Sequence, residues 1–324
     1  MYLCRPFIIY QPYSRIVAVN RLPSTVNRYI MKKVVILSAF MSILLASCAV
    51  KPSASFTVPV QKLVAPVEVS FTNTTKFKDA TYLWDFGDGA TSTEANPVHR
   101  YTQSGNHAVV LKATKGSKTV TTKQMIQVTA PERCLVELET DFGTMTIEFS
   151  NATPKHRDNF IKLAEEGYYN DLLFHRVING FMIQGGDPDS RNAAPGKALG
   201  MGGPAYQVPA EIVDTLCHLK GAICAARTNN PEKKSSGSQF YIVQGGPVTE
   251  TMLNQMETMR GFHYTPEQRA AYLAVGGTPQ LDHEYTVYGR VIKGMEVIDK
   301  IASTETGPGD RPKKDVKMKV KVIK

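Results

Sequence analysis

One stretch of the sequence decides the fold, and it reads Phe174-His175-Arg176-Val177-Ile178-Asn179-Gly180-Phe181-Met182-Ile183-Gln184-Gly185-Gly186-Asp187. A second block further along the chain reads Ser236-Gly237-Ser238-Gln239-Phe240-Tyr241-Ile242. A third consists of Leu281-Asp282 followed by Tyr285-Thr286-Val287-Tyr288-Gly289. Three blocks in a fixed order identify a fold far more specifically than any one of them.

Regular elements precede the first block. Residues 134–140 and 144–149 alternate apolar and polar side chains around Asp141-Phe142-Gly143, which predicts a β-hairpin. Thr153 and Pro154 then predict the start of a helix, with an N-cap residue followed by proline at the first helical position. We expect this helix to end at Gly167.

Together these features closely resemble the cyclophilins, the peptidyl-prolyl cis/trans isomerases, over residues 133–324. The resemblance implies a mainly β domain: an eight-stranded closed antiparallel β-barrel capped by two helices. It also implies an enzyme that requires no cofactor and no metal ion, and whose ligands are proline-containing polypeptides.

The chemistry that the resemblance implies can be argued from residue types. An X-Pro bond isomerises slowly because its partial double bond imposes a barrier of ~20 kcal/mol. Twisting the bond gives the prolyl nitrogen a lone pair, so a fixed cationic donor aimed there stabilises the twisted amide alone. Arg176 matches the family's catalytic arginine, and Gln184 matches the residue that orients it. A guanidinium suits this role because it stays charged and holds its donors in one plane.

The resemblance also implies an apolar pocket for the proline ring and a polar strip for the peptide main chain. The substrate-binding positions that it carries over are Phe181, Met182, Ala226, Arg227, Gln239, Tyr241, Leu281 and Tyr285. His175 alternates away from Arg176 and is expected to be a hydrogen-bonded barrel residue without a catalytic role.

The chain departs from the common cyclophilin pattern at four positions. Gln280 stands where many members have tryptophan, Tyr285 where histidine is frequent, Arg227 where asparagine is frequent, and Tyr241 replaces phenylalanine. These departures leave open a rival function, in which a non-catalytic module binds proline segments in the cell envelope. A hydrolase is disfavoured, because no Gly-x-Ser-x-Gly motif is present.

Residues 248–278 look like a helical insertion immediately before Leu281. Met252, Leu253, Met256 and Met259 form one apolar stripe, and Thr265-Pro266-Glu267-Gln268 reads as a capped helix start that leads to Gly276-Gly277. The insertion either covers the barrel's own surface or acts as a lid or docking site for protein substrates.

Residues 56–130 contain short alternating stretches bounded by turn residues, which predict an all-β sandwich. The run Tyr82-Leu83-Trp84-Asp85-Phe86-Gly87-Asp88-Gly89 closely resembles the PKD domain, an immunoglobulin-like sandwich. We expect Trp84 to fill the core and Asp85 and Asp88 to form a turn, because the twelve-residue calcium loop is missing. The resemblance implies a protein or polysaccharide partner.

The first 47 residues have the pattern of a bacterial lipoprotein signal peptide. Met31-Lys32-Lys33 precedes an apolar stretch from Val34 to Ala46, and Leu45-Ala46-Ser47-Cys48 resembles a lipobox. This predicts a true start at Met31, lipidation of Cys48 and a tether over residues 48–55. The expected location is the cell envelope, at the periplasmic face of the outer membrane.

Length and charge agree with two folded domains after this signal. The chain has 324 residues, and domains of ~100–200 residues are usual. Its net charge is +9, but the first 47 residues hold six of the 38 basic residues and none of the 29 acidic ones. The folded body is close to neutral, so nucleic acid is not an expected partner.

The cysteines Cys134, Cys217 and Cys224 remain in the predicted mature chain. We expect free, mostly buried thiols, with a Cys217–Cys224 disulfide as the alternative. No Cys-x-x-Cys motif supports a zinc site.

Overall fold

The computed structural model describes residues 51–323, so the predicted signal peptide, the start at Met31 and the lipidation site Cys48 lie outside the described residues. Residues 53–324 form one compact unit. No helix between residues 51 and 323 is long and apolar enough to cross a membrane. The fold is mainly β, as predicted.

The first half of the described chain is built from strands alone. They are β1 Phe56–Thr57, β2 Leu63–Val64, β3 Val67–Ser70, β4 Thr72–Asn73, β5 Thr81–Asp85, β6 Thr91–Ser92, β7 Val98–Tyr101, β8 Gly105–Lys115 and β9 Lys118–Thr129. One sheet has the order β2-β9-β8-β5-β6, while β3 pairs with β7 and β1 with β4. Val69 from β3, Trp84 from β5 and Leu111 from β8 meet in one core, which is the predicted sandwich.

Trp84 fills this core, as predicted. Its side chain is fully buried, and its ring centroid lies 5.1 Å from that of Phe56 and 5.6 Å from that of Phe71. The indole Nε1 donates a hydrogen bond of 2.9 Å to the carbonyl oxygen of Glu94. Its polar atom is therefore satisfied within an aromatic cluster.

The two aspartates after Trp84 form a turn. The Asp85 carboxylate accepts a hydrogen bond from the backbone N–H of Gly87 at 2.9 Å, and Asp88 accepts one from Ala90 at 3.1 Å. Gly87 has φ +79°, and a Cβ there would lie 2.6 Å from the backbone nitrogen of Ala108. The prediction of turn-forming aspartates is confirmed.

Replacing Trp84 with alanine is expected to destabilise the sandwich by about 3–5 kcal/mol, because a fully buried indole leaves a cavity that the neighbouring rings fill only in part. Denaturant unfolding followed by far-ultraviolet circular dichroism measures the loss. Trp84→Phe keeps an aromatic ring there and serves as the control. A loss below about 1 kcal/mol in the alanine variant would contradict this role of the indole.

The second half contains the remaining strands. They are β10 Cys134–Thr140, β11 Gly143–Phe149, β12 Leu172–Leu173, β13 Arg176–Ile178, β14 Met182–Gly185, β15 Gln207–Val208, β16 Ala222–Ala225, β17 Ser235–Ser236, β18 Phe240–Val243, β19 Val287–Lys293 and β20 Lys317–Ile323. Nine of them form a curled sheet in the order β12-β20-β10-β11-β19-β16-β18-β14-β13. The predicted barrel has eight strands, and the ninth is the two-residue β12.

Alternation along the strands separates two apolar clusters. Val177, Ile183 and Ile242 lie in the large core that α-helices also contact. Met182 and Tyr241, their neighbours in sequence, belong to a second cluster. Side chains that alternate along a strand point to opposite faces of a sheet, so this second cluster forms the face that carries the candidate site.

Four α-helices accompany the sheet: α1 Pro154–Glu165, α2 Glu250–Arg260, α3 Pro266–Val275 and α4 Met295–Ala302. Short 3₁₀ helices cover Pro188–Ser190, Pro279–Leu281 and Pro308–Asp310. Helix α1 buries Phe160, Leu163 and Ala164, and the chain leaves it at Gly167 with φ +68°. The helix and its end follow the prediction.

The predicted N-cap of α1 is wrong in one respect. The Thr153 side chain makes no cap hydrogen bond. Instead, the Glu211 carboxylate accepts from the backbone N–H groups of Lys155 at 3.1 Å and His156 at 3.0 Å, and it lies 2.7 Å from His156 Nδ1. A remote carboxylate therefore satisfies the helix start and complements its dipole.

Replacing Glu211 with glutamine is expected to reduce the acid sensitivity of folding. Burial raises the pKa of Glu211, but its hydrogen bonds from His156 and Lys155 outweigh this and hold the pKa below 4.5. The carboxylate therefore stabilises the fold fully above pH 4.5, and the stabilisation is lost as the pH falls through the lower folded value. When the pH falls from 7 to 3, the free energy of unfolding measured with denaturant is expected to decrease by about 1 kcal/mol more in the wild type than in the variant.

Glu296→Gln, an exposed substitution in the first turn of α4, is the matched control and is expected to leave this pH profile unchanged. Identical profiles for Glu211→Gln and the wild type would contradict the assignment of Glu211 as the helix cap.

Helices α2 and α3 form the predicted insertion. Thr265 and Gln268 make the predicted capping box, and α3 ends before Gly276. The predicted apolar stripe is only partly buried: Leu253 is fully buried, but Met252 is 38% and Met259 73% exposed. Only one edge of α2 packs against the neighbouring cluster around Tyr264 and Tyr272.

Cys134, Cys217 and Cys224 are free thiols, so the alternative of a Cys217–Cys224 disulfide is wrong. Burial raises the pKa of Cys217 to about 12 and that of Cys224 well above its ordinary value. Neither thiol is therefore activated as a nucleophile. Within the described part of the chain, no group of three or more His, Cys, Asp and Glu residues could hold a metal ion.

Candidate active site

The candidate site begins with a row of side chains across four adjacent strands. Arg176 on β13 pairs with Gln184 on β14, Gln184 pairs with Tyr241 on β18, and Tyr241 pairs with Cys224 on β16. Residues that are directly opposite in a sheet share a face, so the register alone brings the predicted arginine, glutamine and tyrosine together.

A chain of amide groups holds this row. Arg176 Nη1 donates to Gln184 Oε1 at 3.4 Å, and Gln184 Nε2 donates to Gln239 Oε1 at 3.1 Å. Gln239 in turn donates to the carbonyl oxygens of Gly200 at 2.9 Å and Gly202 at 2.7 Å. Each amide is oriented by the next, which fixes the Gln184 oxygen toward the guanidinium.

A cavity of about 660 Å³ opens over this row. Nine of the ten predicted catalytic and substrate-binding residues line it: Arg176, Phe181, Met182, Gln184, Ala226, Arg227, Tyr241, Leu281 and Tyr285. The tenth, Gln239, is buried behind Gln184 and lines a neighbouring cavity. The cavity thus combines an apolar floor with a guanidinium that solvent can reach, since the Arg176 side chain is 42% exposed.

A family model described as cyclophilin type peptidyl-prolyl cis-trans isomerase matches residues 135–322, which include every residue of this site. The chain belongs to the cyclophilin family. A PKD domain model matches residues 50–130. Both resemblances that the sequence suggested are confirmed, and the activity of this cyclophilin is peptidyl-prolyl cis-trans isomerisation.

Two similar staphylococcal proteins agree with this assignment. A protein of Staphylococcus saprophyticus subsp. saprophyticus, named as a candidate peptidyl-prolyl cis-trans isomerase, is 40% identical over 55% of this chain and 86% of its own length. A protein of Staphylococcus aureus with the same name is 41% identical over 56% of this chain and 87% of its own. The crystal structure of a Cryptosporidium parvum cyclophilin covers 59% of this chain and 98% of its own, with 23% identity and a TM-score of 0.44.

Two departures from the common cyclophilin pattern explain each other. The Arg227 guanidinium lies over the Tyr285 ring, 4.6 Å from its centroid. Arg227 also donates to the Glu284 carbonyl oxygen at 3.0 Å and to its carboxylate at 3.2 Å. A cation held over an aromatic face is attracted to it, so arginine and tyrosine form one continuous wall of the pocket.

Asp310 is a member of the site that the sequence reasoning missed. Its carboxylate lies 3.4 Å from Arg176 Nε, whereas Gln184 accepts from Nη1. The two residues are separated by 134 positions in the chain, and no local pattern around Asp310 indicates the contact. Together, Asp310 and Gln184 orient the plane of the Arg176 guanidinium.

A buried carboxylate behind the pocket was also missed. Asp282 lies 2.7 Å from His218 Nδ1, and His218 Nε2 lies 3.1 Å from the Tyr241 hydroxyl. Asp282 also accepts hydrogen bonds from the hydroxyls of Tyr264 and Tyr272 in the insertion. The network ties the pocket residue Tyr241 to the helical insertion, and the Leu281-Asp282 pair in the third motif was its only signal in the sequence.

The prediction for His175 is wrong in part. The side chain is buried, 3% exposed, but neither ring nitrogen has a hydrogen-bond partner among the described residues. Burial lowers its pKa to about 4, so the ring is neutral at pH 7. Its edge packs beside Gly200, where a Cβ would be 3.6 Å from Nε2, and the residue lines the cavity that opens over Arg176.

Proposed function

We propose that this cyclophilin isomerises X-Pro bonds in proteins of the bacterial cell envelope, with Arg176 as the catalytic residue and Gln184 as the residue that orients it. The observation that carries the proposal is the pocket itself. An apolar floor, an exposed guanidinium and a row of oriented amides meet in one cavity.

In this mechanism the protein binds the twisted amide more tightly than either planar isomer. The proline ring occupies the apolar surface of Phe181, Met182 and Leu281, which is the partly open side of the second cluster. Arg176 then donates to the prolyl nitrogen, whose lone pair is available only when the bond is twisted. Because the interaction is made near the transition state, it lowers the barrier rather than stabilising the ground state.

Isomerisation at this site requires neither a nucleophile nor a proton transfer from the residues around the reacting bond. Tyr241, the nearest ionisable group on the pocket floor, has a pKa raised well above its ordinary value, chiefly by burial, so it remains a neutral hydrogen-bonding group. Gln239, Ala226 and Arg227 are proposed to hold the main chain of the polypeptide beside the proline, and Tyr285 to complete the pocket wall. Catalysis is therefore non-covalent throughout.

The cellular location is proposed from the N-terminal sequence. A lipid on Cys48 would anchor the chain, residues 48–55 would serve as a tether, and the PKD domain (56–130) would stand between the membrane and the isomerase domain (133–324). The support is the Lys32-Lys33 pair, the apolar stretch after it and the Leu45-Ala46-Ser47-Cys48 ending. The proposed membrane face is the periplasmic side of the outer membrane, with a protein or polysaccharide of the envelope near the PKD domain.

A Cys48→Ser variant tests the anchoring. We expect the wild type to sediment with membranes and to carry acyl chains on its N-terminal peptide by mass spectrometry, and the variant to do neither. The isomerase activity of the two proteins in detergent is expected to be equal. A wild type without lipid, or a variant that stays with the membranes, would refute the proposed anchoring and leave the isomerase site untouched.

A further inference from the structure

The PKD domain is bound to the cyclophilin domain through a buried arginine. Arg157 on α1 is fully buried, and its guanidinium donates to Ser104 Oγ at 2.7 Å and to Asn151 Oδ1 at 2.6 Å. Its Nε donates to Asp158 Oδ1 at 2.6 Å. Since Ser104 belongs to the PKD domain, one buried charge with a partner for each of its three nitrogens joins the two domains.

The partner carboxylate completes this junction. Asp158 Oδ2 accepts hydrogen bonds from the backbone N–H of Ser104 at 2.7 Å and from its hydroxyl at 2.9 Å. A second ion pair joins Arg100 to Glu165, with 3.1 Å between nitrogen and oxygen. Ser104 therefore contacts the first turns of α1, and Arg100 contacts its last residue.

Three neighbouring cavities lie between the proline pocket and this junction. The proline pocket shares the walls Gln184 and Ala226 with a second cavity of about 230 Å³. That cavity shares Tyr206 and Gln207 with a third of about 470 Å³, which lies between the two domains. Each cavity therefore adjoins the next along shared wall residues.

The third cavity, which we call the interdomain crevice, has a composition suited to a peptide main chain. Gln103 from the PKD domain, Asn159 from α1 and Gln207 from β15 bring amide side chains to its walls. The exposed amides of Gln103 and Gln207 offer both donors and acceptors, whereas Asn159 donates to the carbonyl oxygen of Gly237 and accepts from the Tyr206 hydroxyl. Lys155 adds one exposed cation, and the half-exposed ring of Tyr206 adds apolar surface.

We propose that the interdomain crevice is a binding site for the polypeptide substrate, occupied by residues that flank the proline in an extended chain. The PKD domain thereby contributes directly to substrate binding. The inference rests on the proposed function, because the chain that enters the crevice is the one whose X-Pro bond lies at Arg176. Contacts this far from the reacting bond stabilise the bound ground state and the transition state equally. They therefore lower KM without changing kcat.

The test compares short and long substrates in the full-length protein. Gln103→Trp fills the crevice from the PKD side without touching the proline pocket. We expect unchanged kcat/KM for an Ala-Pro tetrapeptide and an increase of about fivefold in KM, with kcat unchanged, for an unfolded protein whose refolding is limited by one X-Pro bond. About 1 kcal/mol of lost binding has this effect.

The matched control is Gln127→Trp, which places the same side chain at an exposed position of the same domain outside the crevice. We expect it to leave both substrates unaffected. If the tetrapeptide is turned over and both tryptophan variants have the same KM for the protein substrate, the crevice site is refuted and the isomerase function stands. If the wild type does not turn over the tetrapeptide, the proposed function itself fails.

A second measurement remains informative if Gln103→Trp perturbs the domain junction. A photo-crosslinking amino acid at position 103 is expected to capture a long unfolded substrate, and excess of the same long substrate without a label is expected to reduce the yield. The same group at position 127 is the control. Equal crosslinking at the two positions would overturn the proposal.

Discussion

Replacing Arg176 with alanine is expected to lower kcat/KM for a short Ala-Pro peptide by about 10²–10³-fold, equivalent to about 3–4 kcal/mol. The guanidinium lies beside the apolar floor, and Gln184 and Asp310 orient it through Nη1 and Nε. Because its donation requires the twisted amide, kcat is expected to fall while KM changes little. A coupled protease assay or direct exchange measurements provide both constants.

Two controls separate chemistry from charge and from folding. Arg176→Lys keeps the charge but loses the planar set of donors, so we expect it to recover only a small part of the activity. Arg290→Ala removes an arginine that is 72% exposed and pairs with Glu148 on the surface, and it is expected to retain full activity. Circular dichroism should be the same for all four proteins. A kcat/KM of the Arg176→Ala variant within threefold of the wild-type value would contradict the assignment of Arg176 as the catalytic residue.

Replacing Asp282 with alanine is expected to destabilise the cyclophilin domain by about 3–5 kcal/mol, because it removes a buried carboxylate that accepts several buried hydrogen bonds. Asp282 is 4% and His218 0% exposed, and the substitution leaves His218 and the hydroxyls of Tyr264 and Tyr272 without their common acceptor. Unsatisfied buried polar groups are costly in themselves. Denaturant unfolding at pH 7 measures the change.

Asp299→Ala is the matched control, since this aspartate forms a partly exposed pair with Lys220 at 2.8 Å. Its removal is expected to cost less than about 1 kcal/mol, and equal losses for the two variants would contradict the role of Asp282.

The dependence of stability on acid pH provides a second readout. Burial raises the pKa of Asp282, but His218 and the Tyr272 hydroxyl outweigh it and hold the pKa below 3.8.

The sign of the acid effect follows from that lowered pKa. Ionised Asp282 stabilises the fold fully above pH 3.8, its ordinary pKa, and this stabilisation disappears as the pH falls through the folded value. Asp282→Asn, which keeps the shape of the side chain, is expected to show a flatter dependence of unfolding free energy on pH below 4.

What the sequence predicts well is local or periodic. The alternation of β13, β14 and β18 sets the register that brings Arg176, Gln184 and Tyr241 together. The turn after Trp84 is fixed by aspartates whose carboxylates accept hydrogen bonds from the backbone N–H groups two residues further along the chain. The capping box of α3 lies within four consecutive residues. In each case the atoms that interact are neighbours in the chain or across one strand pair.

What the sequence does not predict depends on distant segments. Thr153 has the composition of an N-cap, but Glu211 reaches the same N–H groups from a loop 56 positions away. Asp310 meets Arg176 only because the last 3₁₀ helix ends beside β13. The methionine stripe of α2 predicts a buried face, yet Tyr264 and Tyr272 cover only its Leu253 edge. Tertiary packing decides all three.

The departures at Arg227 and Tyr285 illustrate an intermediate case. Each residue alone departs from the common cyclophilin pattern, and only the structure shows that the guanidinium and the ring stack at 4.6 Å. The wall therefore survives although both residue types have changed.

The measurement that tests the account most directly is exchange spectroscopy by nuclear magnetic resonance on an Ala-Pro peptide, with wild type and Arg176→Ala side by side in a chain that begins at Ala49. One experiment yields the affinity and the rate of exchange between cis and trans peptide on the protein. The account predicts similar affinity for both proteins and fast exchange only with Arg176 present. Saturable binding by the wild type without accelerated exchange, or equal exchange rates in the two proteins, would contradict it.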